Sequence, residues 1–373
     1  MATKKFDVII VGAGPAGVGM GVTLQEMGLK NFVILDRYEV GASFARWPAE
    51  MRLITPSFTS NGFGPPDLNA VTYHTSPAHM LQREHPTGLE YAHYLKGVAE
   101  HFELPIQTGV EVEAVKADAT DEGFKLQTSA GKLAARFVIW AAGEFQYPRL
   151  DPFPGAEHCL HNSTVSSWTQ LEGESFVVIG GYESGLDAAY NLSKQGKQVL
   201  VVDRQPRWES RASDPSRGLA PFTHSRLRAA LKKGRLDLLG DVTIDRVEPN
   251  GKGYFVFAED GREWHSPTRP ILALGFGSSL ELVDDLFDWG EEGYALLTEQ
   301  DESTETPGLF LVGPEVRHGQ VIFCFIYKFR QRFAVVAQEI GQRLGLPTEA
   351  LEIYRHHYMF LDDLSCCNVE CVC

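Results

Sequence analysis

The sequence predicts an α/β fold with two Rossmann-like dinucleotide-binding domains of the three-layer ββα/βαβ kind, the second inserted into the first. Three observations support this prediction. Residues 6–17 and residues 175–185 each place a short apolar run directly before a glycine-rich turn. A third apolar run, residues 309–313, ends in glycine late in the chain, as expected if the first domain resumes there.

The first glycine turn, GAGPAG at residues 12–17, follows an apolar strand and opens a helix. In this pattern Gly12 permits the tight turn, Gly14 lets the backbone approach a diphosphate, and Gly17 allows the helix to pack closely on the strand. The diphosphate is expected on the free N–H groups at the helix N-terminus. The next strand ends in Asp36, where a carboxylate can accept hydrogen bonds from ribose hydroxyls. The unit therefore predicts a bound dinucleotide.

The segment after Asp36 shows little periodicity as far as Pro86, and such a length is usually functional. Residues 53–64 concentrate hydroxyls, an amide and aromatic rings. A surface loop and a wall around a planar cofactor both agree with this composition. A helix is predicted over residues 88–102, and a strand ending in small residues over residues 136–143.

The second glycine turn keeps Gly180 and Gly185 and is followed by a strand that ends in Asp203. Tyr182, however, occupies the middle glycine position, where a side chain should hinder close approach of the backbone to a ligand. Two alternatives remain open: a nicotinamide nucleotide binds here with altered geometry, or the domain has lost it.

The residues beyond this strand give a mixed indication of nucleotide preference. Asp203 favours NAD through its ribose hydroxyls, whereas Arg204, Arg207 and Arg211 can hold the 2′-phosphate of NADP. A solvated basic loop is an equal alternative.

Domain limits are predicted from the strands and linkers. We expect a first domain over residues 1–165, an inserted domain over 166–300, the resumed first domain over 301–360, and a tail over 361–373. Helices are predicted over residues 326–344 and 348–360.

Charge and hydropathy restrict the partners. The chain of 373 residues has 34 Lys plus Arg against 49 Asp plus Glu, a formal charge of −15, which disfavours nucleic acid and anionic membranes as general partners. It has no apolar run near the length that a bilayer requires. Because the first strand begins at Phe6, we expect no signal peptide and a cytoplasmic location.

Four of the six cysteines lie in the last eight residues: Cys366, Cys367, Cys371 and Cys373. Three interpretations remain open. The thiols can bind a soft metal ion, they can form an exposed dithiol relay in which Cys366 and Cys367 react, or they can pack without reacting. No CxxC pair occurs in the chain.

Further segments together resemble a known family. They are the strand end WAAG at residues 140–143, the proline-rich linker that follows it, the strand LALGF at residues 272–276, and the cysteine-rich ending. The chain resembles the flavin-containing monooxygenases and the CzcO-type FAD/NAD(P)-dependent oxidoreductases. The resemblance implies FAD on the first turn and NADPH or NADH on the second. It implies an FAD site of Gly12, Gly14, Pro15, Ala16, Gly17, Asp36, Arg37, Ser43, Phe44, Trp47, Val112, Ala142, Gly143 and Gly313. It implies an NAD(P) site of Gly180, Tyr182, Glu183, Ser184, Gly185, Asp203 and Arg204.

The expected activity is that of a monooxygenase-like enzyme acting on a small, soft nucleophile. One alternative is an NAD(P)H-dependent thiol, disulfide or metal-ion reductase that uses the cysteine tail. Another is a non-catalytic FAD-binding sensor of redox or metal state. His318 is a candidate acid or base, although an ordinary loop histidine is the more common case. A homodimer is expected by analogy.

Overall fold

The computed structural model describes residues 4–59, 66–118, 123–212 and 214–365. The strands are β1 (Lys4–Val11), β2 (Phe32–Asp36), β3 (Ile106–Thr108), β4 (Val112–Ala117), β5 (Phe124–Thr128), β6 (Gly131–Trp140), β7 (Leu160–His161), β8 (Ser175–Ile179), β9 (Gln198–Val202), β10 (Leu236–Leu239), β11 (Ile244–Pro249), β12 (Tyr254–Ala258), β13 (Glu263–Ser266), β14 (Ile271–Leu272), β15 (Leu309–Leu311), β16 (Arg317–His318) and β17 (Val321–Ile322). The α-helices are α1 (Pro15–Glu26), α2 (Ala42–Ala45), α3 (Pro77–Leu81), α4 (Gly88–His101), α5 (Glu183–Lys194), α6 (Pro221–Leu231), α7 (Ile326–Phe329), α8 (Phe333–Leu344) and α9 (Glu352–His356).

The first sheet has the order β3-β2-β1-β6-β5-β4, and β15 pairs with the carboxyl-terminal half of β6. Strands β3, β2, β1, β6 and β15 are parallel to one another, whereas β5 pairs antiparallel with both β6 and β4. The second half of the central strand β1, residues 8–11, is apolar and buried on both faces, as expected of a parallel strand covered by helices. Because parallel strands end at one edge, the sheet brings the first glycine turn, Asp36 and Ala141 together.

The second sheet is parallel, with the order β10-β9-β8-β14-β7. The antiparallel sheet β11-β12-β13 contributes to a neighbouring core, in which Val247 and Val256 are buried together with Val177 and Leu272 of the parallel sheet. The predicted α/β class, with two Rossmann-like domains, is confirmed by this arrangement.

The predicted domain limits need correction. Strand β7 pairs with β14 in the second sheet, so that sheet includes residues on the amino-terminal side of the expected limit at 165. Leu280, Val283 and Leu286 lie in the core of the first domain, so the chain returns to it before residue 300. They lie on a short 3-10 segment, Ser279–Leu286, whose apolar side covers β4. This segment is too short for a periodicity that sequence reasoning could recognise.

The helix predicted over residues 326–344 is divided into α7, a 3-10 turn and α8. Arg330 and Arg332, in the turn, are buried and donate hydrogen bonds to other parts of the first domain. Arg330 donates to the carbonyl oxygens of Asp67 and Ala70, and Arg332 donates to the carboxylate of Asp301. The turn therefore holds residues 67–70 and Asp301 against the segment that carries α7 and α8. The last helix, α9, is shorter than the predicted 348–360.

The helices are short. The longest described helix is α4, with 14 residues, and its N-terminus is capped by a reciprocal pair of hydrogen bonds between Thr87 and Glu90. Within the described ranges, no helix combines the length and the hydropathy that crossing a membrane requires.

Candidate functional site

A cavity of about 540 Å³ opens at the carboxyl ends of β1, β2 and β6. One part of its wall comes from the first domain, including the first glycine turn and the segment around Trp47. Another part comes from Asn162 and Ser163, which follow β7, and from Ser184 at the start of α5. The two domains therefore share one cavity, which is the usual place for a ligand in an α/β protein.

The first glycine turn has the close contacts that its sequence predicts. A Cβ atom on Gly12 would lie 2.3 Å from the carbonyl oxygen of Ala141, and a Cβ on Gly17 would lie 1.8 Å from the carbonyl oxygen of Gly12. A Cβ on Gly14 would meet no atom within 4 Å. Gly12 and Gly17 are thus required by packing, whereas Gly14 leaves its backbone open toward the cavity. This open face, at the N-terminus of α1, fits a diphosphate.

Asp36 lies at the edge of the same turn. Its Oδ2 accepts a hydrogen bond from the backbone N–H of Ala13 (2.8 Å), and its Oδ1 accepts one from Tyr38 N–H (2.8 Å). Arg37 Nε and Asn69 Oδ1, both on cavity-lining residues, are buried without a hydrogen-bond partner among the described residues. Buried polar atoms are normally paired, so these atoms indicate a wall that is completed by a polar ligand. The residues present fit a dinucleotide such as FAD.

The second glycine turn repeats the geometry of the first. A Cβ on Gly180 would lie 2.4 Å from the carbonyl oxygen of Ala273, and a Cβ on Gly185 would lie 1.8 Å from that of Gly180. Asp203 accepts hydrogen bonds from Gly181 N–H and from Gln205 N–H. The two acids therefore hold equivalent places at two equivalent turns.

Tyr182 occupies the place of Gly14 without backbone strain. Its backbone angles are φ −95° and ψ −162°, close to the −78° and −170° of Gly14, and both residues precede a helix. The Tyr182 hydroxyl donates to the carbonyl oxygen of Pro215 (2.7 Å), and the Arg207 guanidinium lies 4.8 Å from the ring centroid. The substitution therefore affects the site through its side chain.

Trp208 covers the adjacent residue of the second turn. A Cβ on Gly181 would lie 2.1 Å from Cζ3 of the Trp208 ring. Together with Tyr182, this ring encloses the turn on which a nucleotide diphosphate is expected.

A short segment joins the second turn to the first domain. We call residues 214–217, which include Pro215, the strap. Lys328 Nζ donates to Asp214 Oδ1 (2.7 Å) and to Ser216 Oγ (2.9 Å), and Arg217 donates to Gln320 Oε1 (2.7 Å). The strap therefore links Tyr182 to the segment that carries α7.

Glu144 is an ionisable residue of the cavity wall that the sequence did not indicate. The residue is exposed toward the cavity, yet the surrounding protein partly desolvates its carboxyl group, and this desolvation, with the nearby charge of Glu315, raises its pKa to about 7. Arg149 and Arg317 oppose the shift. A carboxyl group with this pKa can accept or release a proton near neutral pH.

Glu183, the first residue of α5, has a different role. Its carboxylate accepts hydrogen bonds from Ala220 N–H (2.7 Å) and from the Thr223 hydroxyl at the start of α6. Burial raises its pKa to about 7. The Glu183 carboxylate therefore holds the start of α6, and the residue is not part of the described cavity wall.

Most of the residues proposed for FAD line the cavity. They are Gly12, Gly14, Pro15, Ala16, Asp36, Arg37, Ser43, Phe44, Trp47, Val112, Ala142 and Gly143. Gly17 and Gly313 are absent from the wall, and a Cβ on Gly313 would lie 3.4 Å from Cβ of Ala16. Of the residues proposed for NAD(P), Ser184 is part of this wall, and Arg204 and Arg211 are exposed.

The His318 side chain lies in a buried network outside the described cavity wall. Its Nε2 pairs with Asp301, whose carboxylate also accepts hydrogen bonds from Arg332 Nε (2.9 Å) and NH2 (3.0 Å). Asp301 is fully buried. These contacts support a structural role and give no support to His318 as an acid or base at the cavity.

Two cysteines lie in the described part of the chain. Cys159 is buried in the core of the second domain, and Cys324 lines the cavity, where its thiol donates to Ser216 Oγ (3.2 Å). Burial raises the pKa of the Cys324 thiol. Cys366, Cys367, Cys371 and Cys373, the proposed relay or metal ligands, lie outside the described residues. Within those residues, no group of metal-ligating side chains is assembled.

Sequence reasoning missed Glu144, Asn162 and Cys324. Glu144 directly follows the predicted strand end at Gly143, which was a usable signal. Asn162 and Cys324 stand in segments with no motif, and only the fold brings them to one cavity.

Residues 9–313 match the family described as pyridine nucleotide-disulphide oxidoreductase. An uncharacterized oxidoreductase CzcO of Bacillus velezensis is 30% identical over 209 residues, which cover 54% of this chain and 56% of that protein. The match thus spans about half the length of this curated relative.

Two solved structures show the same fold. The bacillithiol disulfide reductase Bdr (YpdA) of Staphylococcus aureus has a TM-score of 0.74 and 19% identity, covering 91% of this chain and 99% of that one. A flavin-containing monooxygenase of Stenotrophomonas maltophilia has a TM-score of 0.71 and 18% identity, covering 92% of this chain and 100% of that one.

Proposed function

The chain belongs to the pyridine nucleotide-disulphide oxidoreductase family, and within it we propose a monooxygenase-like enzyme for a small, soft nucleophile. The family supports the predicted class, an oxidoreductase that uses a pyridine nucleotide, and FAD is the redox cofactor that we propose with it. In the proposed reaction, NAD(P)H, a proton, dioxygen and the nucleophile give NAD(P)⁺, water and the oxygenated product. The observation that supports it is the single cavity that the two glycine-turn domains share.

The first turn is proposed to hold FAD. The open backbone at Gly14 and the N-terminus of α1 would bind the diphosphate, and the Asp36 carboxylate would turn toward the ribose hydroxyls. The guanidinium of Arg37, whose Nε has no partner among the described residues, would bind a polar group of the same ligand. FAD, when bound, supplies the redox chemistry of the reaction.

The second turn is proposed to hold the nicotinamide nucleotide. Ser184 lies at the start of α5 and lines the shared cavity, so a nucleotide on this helix would reach the space beside the first turn. Glu144 lines that space, and its carboxyl oxygen would hold or transfer the proton.

A second candidate, reduction of a disulfide, is favoured by Cys324 in the cavity wall. Attack on a disulfide needs a thiolate, and burial raises the pKa of this thiol, so the protonated form is favoured in the resting protein. Cys159, the other described cysteine, is buried in the second domain and cannot act as its nearby partner. Oxygenation is therefore the first proposal, and reduction through Cys324 or through Cys366 and Cys367 is the second.

The deciding experiment is anaerobic mixing of the purified protein with NADPH or NADH, followed by oxygen together with an organic sulfide or amine. The proposal expects bleaching of the visible flavin band, recovery on admission of oxygen, and an oxygenated product equivalent to the nucleotide consumed. Oxygen consumption with hydrogen peroxide as the sole product contradicts it.

The same reduced protein, mixed anaerobically with a small disulfide, tests the alternative. A reductase would be established if the disulfide restores the flavin band in the wild type. If the band then fails to recover in Cys324→Ser, or in the Cys366→Ser/Cys367→Ser variant, the replaced cysteine is the reacting thiol. A stoichiometric flavin that neither nucleotide bleaches would favour the non-catalytic sensor, which Tyr182 already suggests.

The remaining expectations belong to the same proposal. The substrate is a small molecule, the location is cytoplasmic, and the protein is a homodimer, which light scattering of the holoprotein would test. A soft metal ion bound by the four tail cysteines stays a proposal, to be tested by metal analysis of the purified chain.

A further inference from the structure

Asn162 is a buried side chain without hydrogen-bond partners at the boundary of the two domains. It is 1% exposed, and neither Nδ2 nor Oδ1 has a partner among the described residues. The residue lines the shared cavity beside Ser163. A buried amide that forms no hydrogen bond destabilises a fold, so its presence calls for an explanation.

The backbone around Asn162 is fixed by its neighbours. His161 Nδ1 accepts a hydrogen bond from Ser163 N–H (3.2 Å), and His161 Nε2 donates to the carbonyl oxygen of Gly275 (3.2 Å). The Thr164 hydroxyl donates to the carbonyl oxygen of His161 (2.8 Å). The short turn Asn162–Thr164 is thus anchored, and it lies against α5. The position of the residue is set, while its amide has no described protein partner.

The chemistry of the Asn162 side-chain amide indicates which ligand groups can form hydrogen bonds with it. An asparagine amide presents an N–H donor and a C=O acceptor side by side, and its best partner is a group with the same two features in reverse. The ligands of the proposed function carry two such amide edges. One is the pyrimidine edge of the flavin ring, and the other is the carboxamide of nicotinamide.

We propose that Asn162 is a specificity residue that pairs its side-chain amide with an amide edge of a bound redox cofactor, an inference that rests on the proposed function. The cofactor supplies the two hydrogen bonds for which Asn162 has no partner among the described residues. Binding in the shared cavity is then selected by the donor and acceptor pattern of the ring in addition to the phosphates and ribose that the glycine turns recognise.

The test uses Asn162→Leu, which has similar volume and no hydrogen bonds, and Asn162→Asp, which lacks the N–H donor. Dissociation constants for FAD and NADP⁺ and the flavin midpoint potential are measured on the full chain, with melting of the FAD-free protein as a check on folding. The inference expects unchanged or higher melting temperature without FAD, together with about tenfold weaker binding of one cofactor, which corresponds to about 1.4 kcal/mol. Asn162→Asp should weaken the same cofactor.

The control is Asn191→Leu. Asn191 is also buried, but its Nδ2 donates to Asp187 O (2.9 Å) and Oδ2 (3.2 Å). Removing these bonds should lower the melting temperature of the FAD-free protein. Asn162→Leu, in contrast, is expected to leave that temperature unchanged or raise it.

The measurements distinguish the two cofactor groups that can pair with the Asn162 amide, the flavin ring and the nicotinamide carboxamide. Weaker FAD binding and a shifted midpoint potential, with NADP⁺ unaffected, assign the flavin. Weaker NADP⁺ binding, with adenosine 2′,5′-bisphosphate unaffected, assigns the nicotinamide. Equal weakening of NADP⁺ and the bisphosphate overturns the inference, because the bisphosphate has no carboxamide. A lower melting temperature with unchanged dissociation constants and potential also overturns it. If the wild type binds no nicotinamide nucleotide, the proposed function is wrong about its electron donor. The FAD measurements still decide the role of Asn162.

Discussion

Tyr182 shows how one side chain can change a nucleotide site without changing its backbone. Its φ and ψ match those of Gly14, so the turn itself is preserved. The hydroxyl is bonded to Pro215 and the ring lies against Arg207, on the side where Gly14 leaves space in the first domain. The second site is therefore a glycine turn closed by an aromatic ring.

Replacing Tyr182 by glycine should open the second turn. We expect Tyr182→Gly to tighten NADP⁺ or NAD⁺ binding by about tenfold or more, since the ring no longer competes for the space of the diphosphate. Tyr182→Phe removes the bond to Pro215 and keeps the ring, and it should have a smaller effect. Isothermal titration of the FAD-loaded variants measures both. Weaker nucleotide binding by Tyr182→Gly would show that the ring instead contributes to the site.

Glu144 should impose a pH dependence on turnover. Its pKa is raised to about 7, so the protonated form predominates below that pH and declines above it. If it donates a proton, the turnover number should be constant at low pH and fall about tenfold per unit well above pH 7. Glu144→Gln should have a lower turnover number and lack this decline.

A second substitution tests the cause of the Glu144 shift. Glu315 adds a like charge, so Glu315→Gln should lower the pKa of Glu144 and move the decline to lower pH. Steady-state rates from about pH 5.5 to about pH 9, a range of about 3.5 units that includes the shifted value, give both profiles. A decline that stays in place in Glu144→Gln belongs to another group.

At the scale of elements, the strap connects the two domains through a partly buried ion pair. Lys328, from α7, pairs with Asp214, and both side chains are mostly shielded from water. Because the carbonyl oxygen of Pro215 also accepts a hydrogen bond from the Tyr182 hydroxyl, a movement of the strap would change the contacts of the side chain that covers the second turn.

Lys328→Ala should release the strap. We expect faster reduction of the flavin by NADPH or NADH at low nucleotide concentration, since less binding energy is needed to displace the strap. Stopped-flow absorbance gives the rate, and Lys328→Arg, which keeps the charge, is the matched control. Identical bimolecular rates in wild type and Lys328→Ala would show that the strap does not limit access.

The same scale explains what the sequence could and could not predict. The order of strand, glycine turn, helix and acid in each unit could be predicted because these features follow one another locally, and Gly12, Gly17, Gly180 and Gly185 make the close contacts that such a unit requires. Asn162, Cys324 and the strap meet only through tertiary packing, and no local pattern records that meeting. The return of the chain near Leu280 was missed for the same reason, since a short 3-10 segment has no clear period.

For the whole molecule, FAD bound in the shared cavity would contact both domains. The wall combines the first turn with Asn162, Ser163 and Ser184, so a ligand there would add contacts across the domain boundary. A ligand that binds the native state at about a thousandfold excess over its dissociation constant stabilises that state by about 4 kcal/mol.

Removing FAD should therefore lower the melting temperature of the chain, and adding FAD back should restore it. FMN should restore less, because it lacks the adenosine whose ribose the Asp36 carboxylate is proposed to hold. Asp36→Ala makes the comparison specific: it should reduce the stabilisation by FAD and leave the smaller effect of FMN unchanged. Calorimetry of the FAD-free protein with each flavin provides the measurement. Equal stabilisation by FAD and FMN in the wild type would mean that the adenosine half of FAD contributes nothing, and the dinucleotide role of the first turn would have to be abandoned.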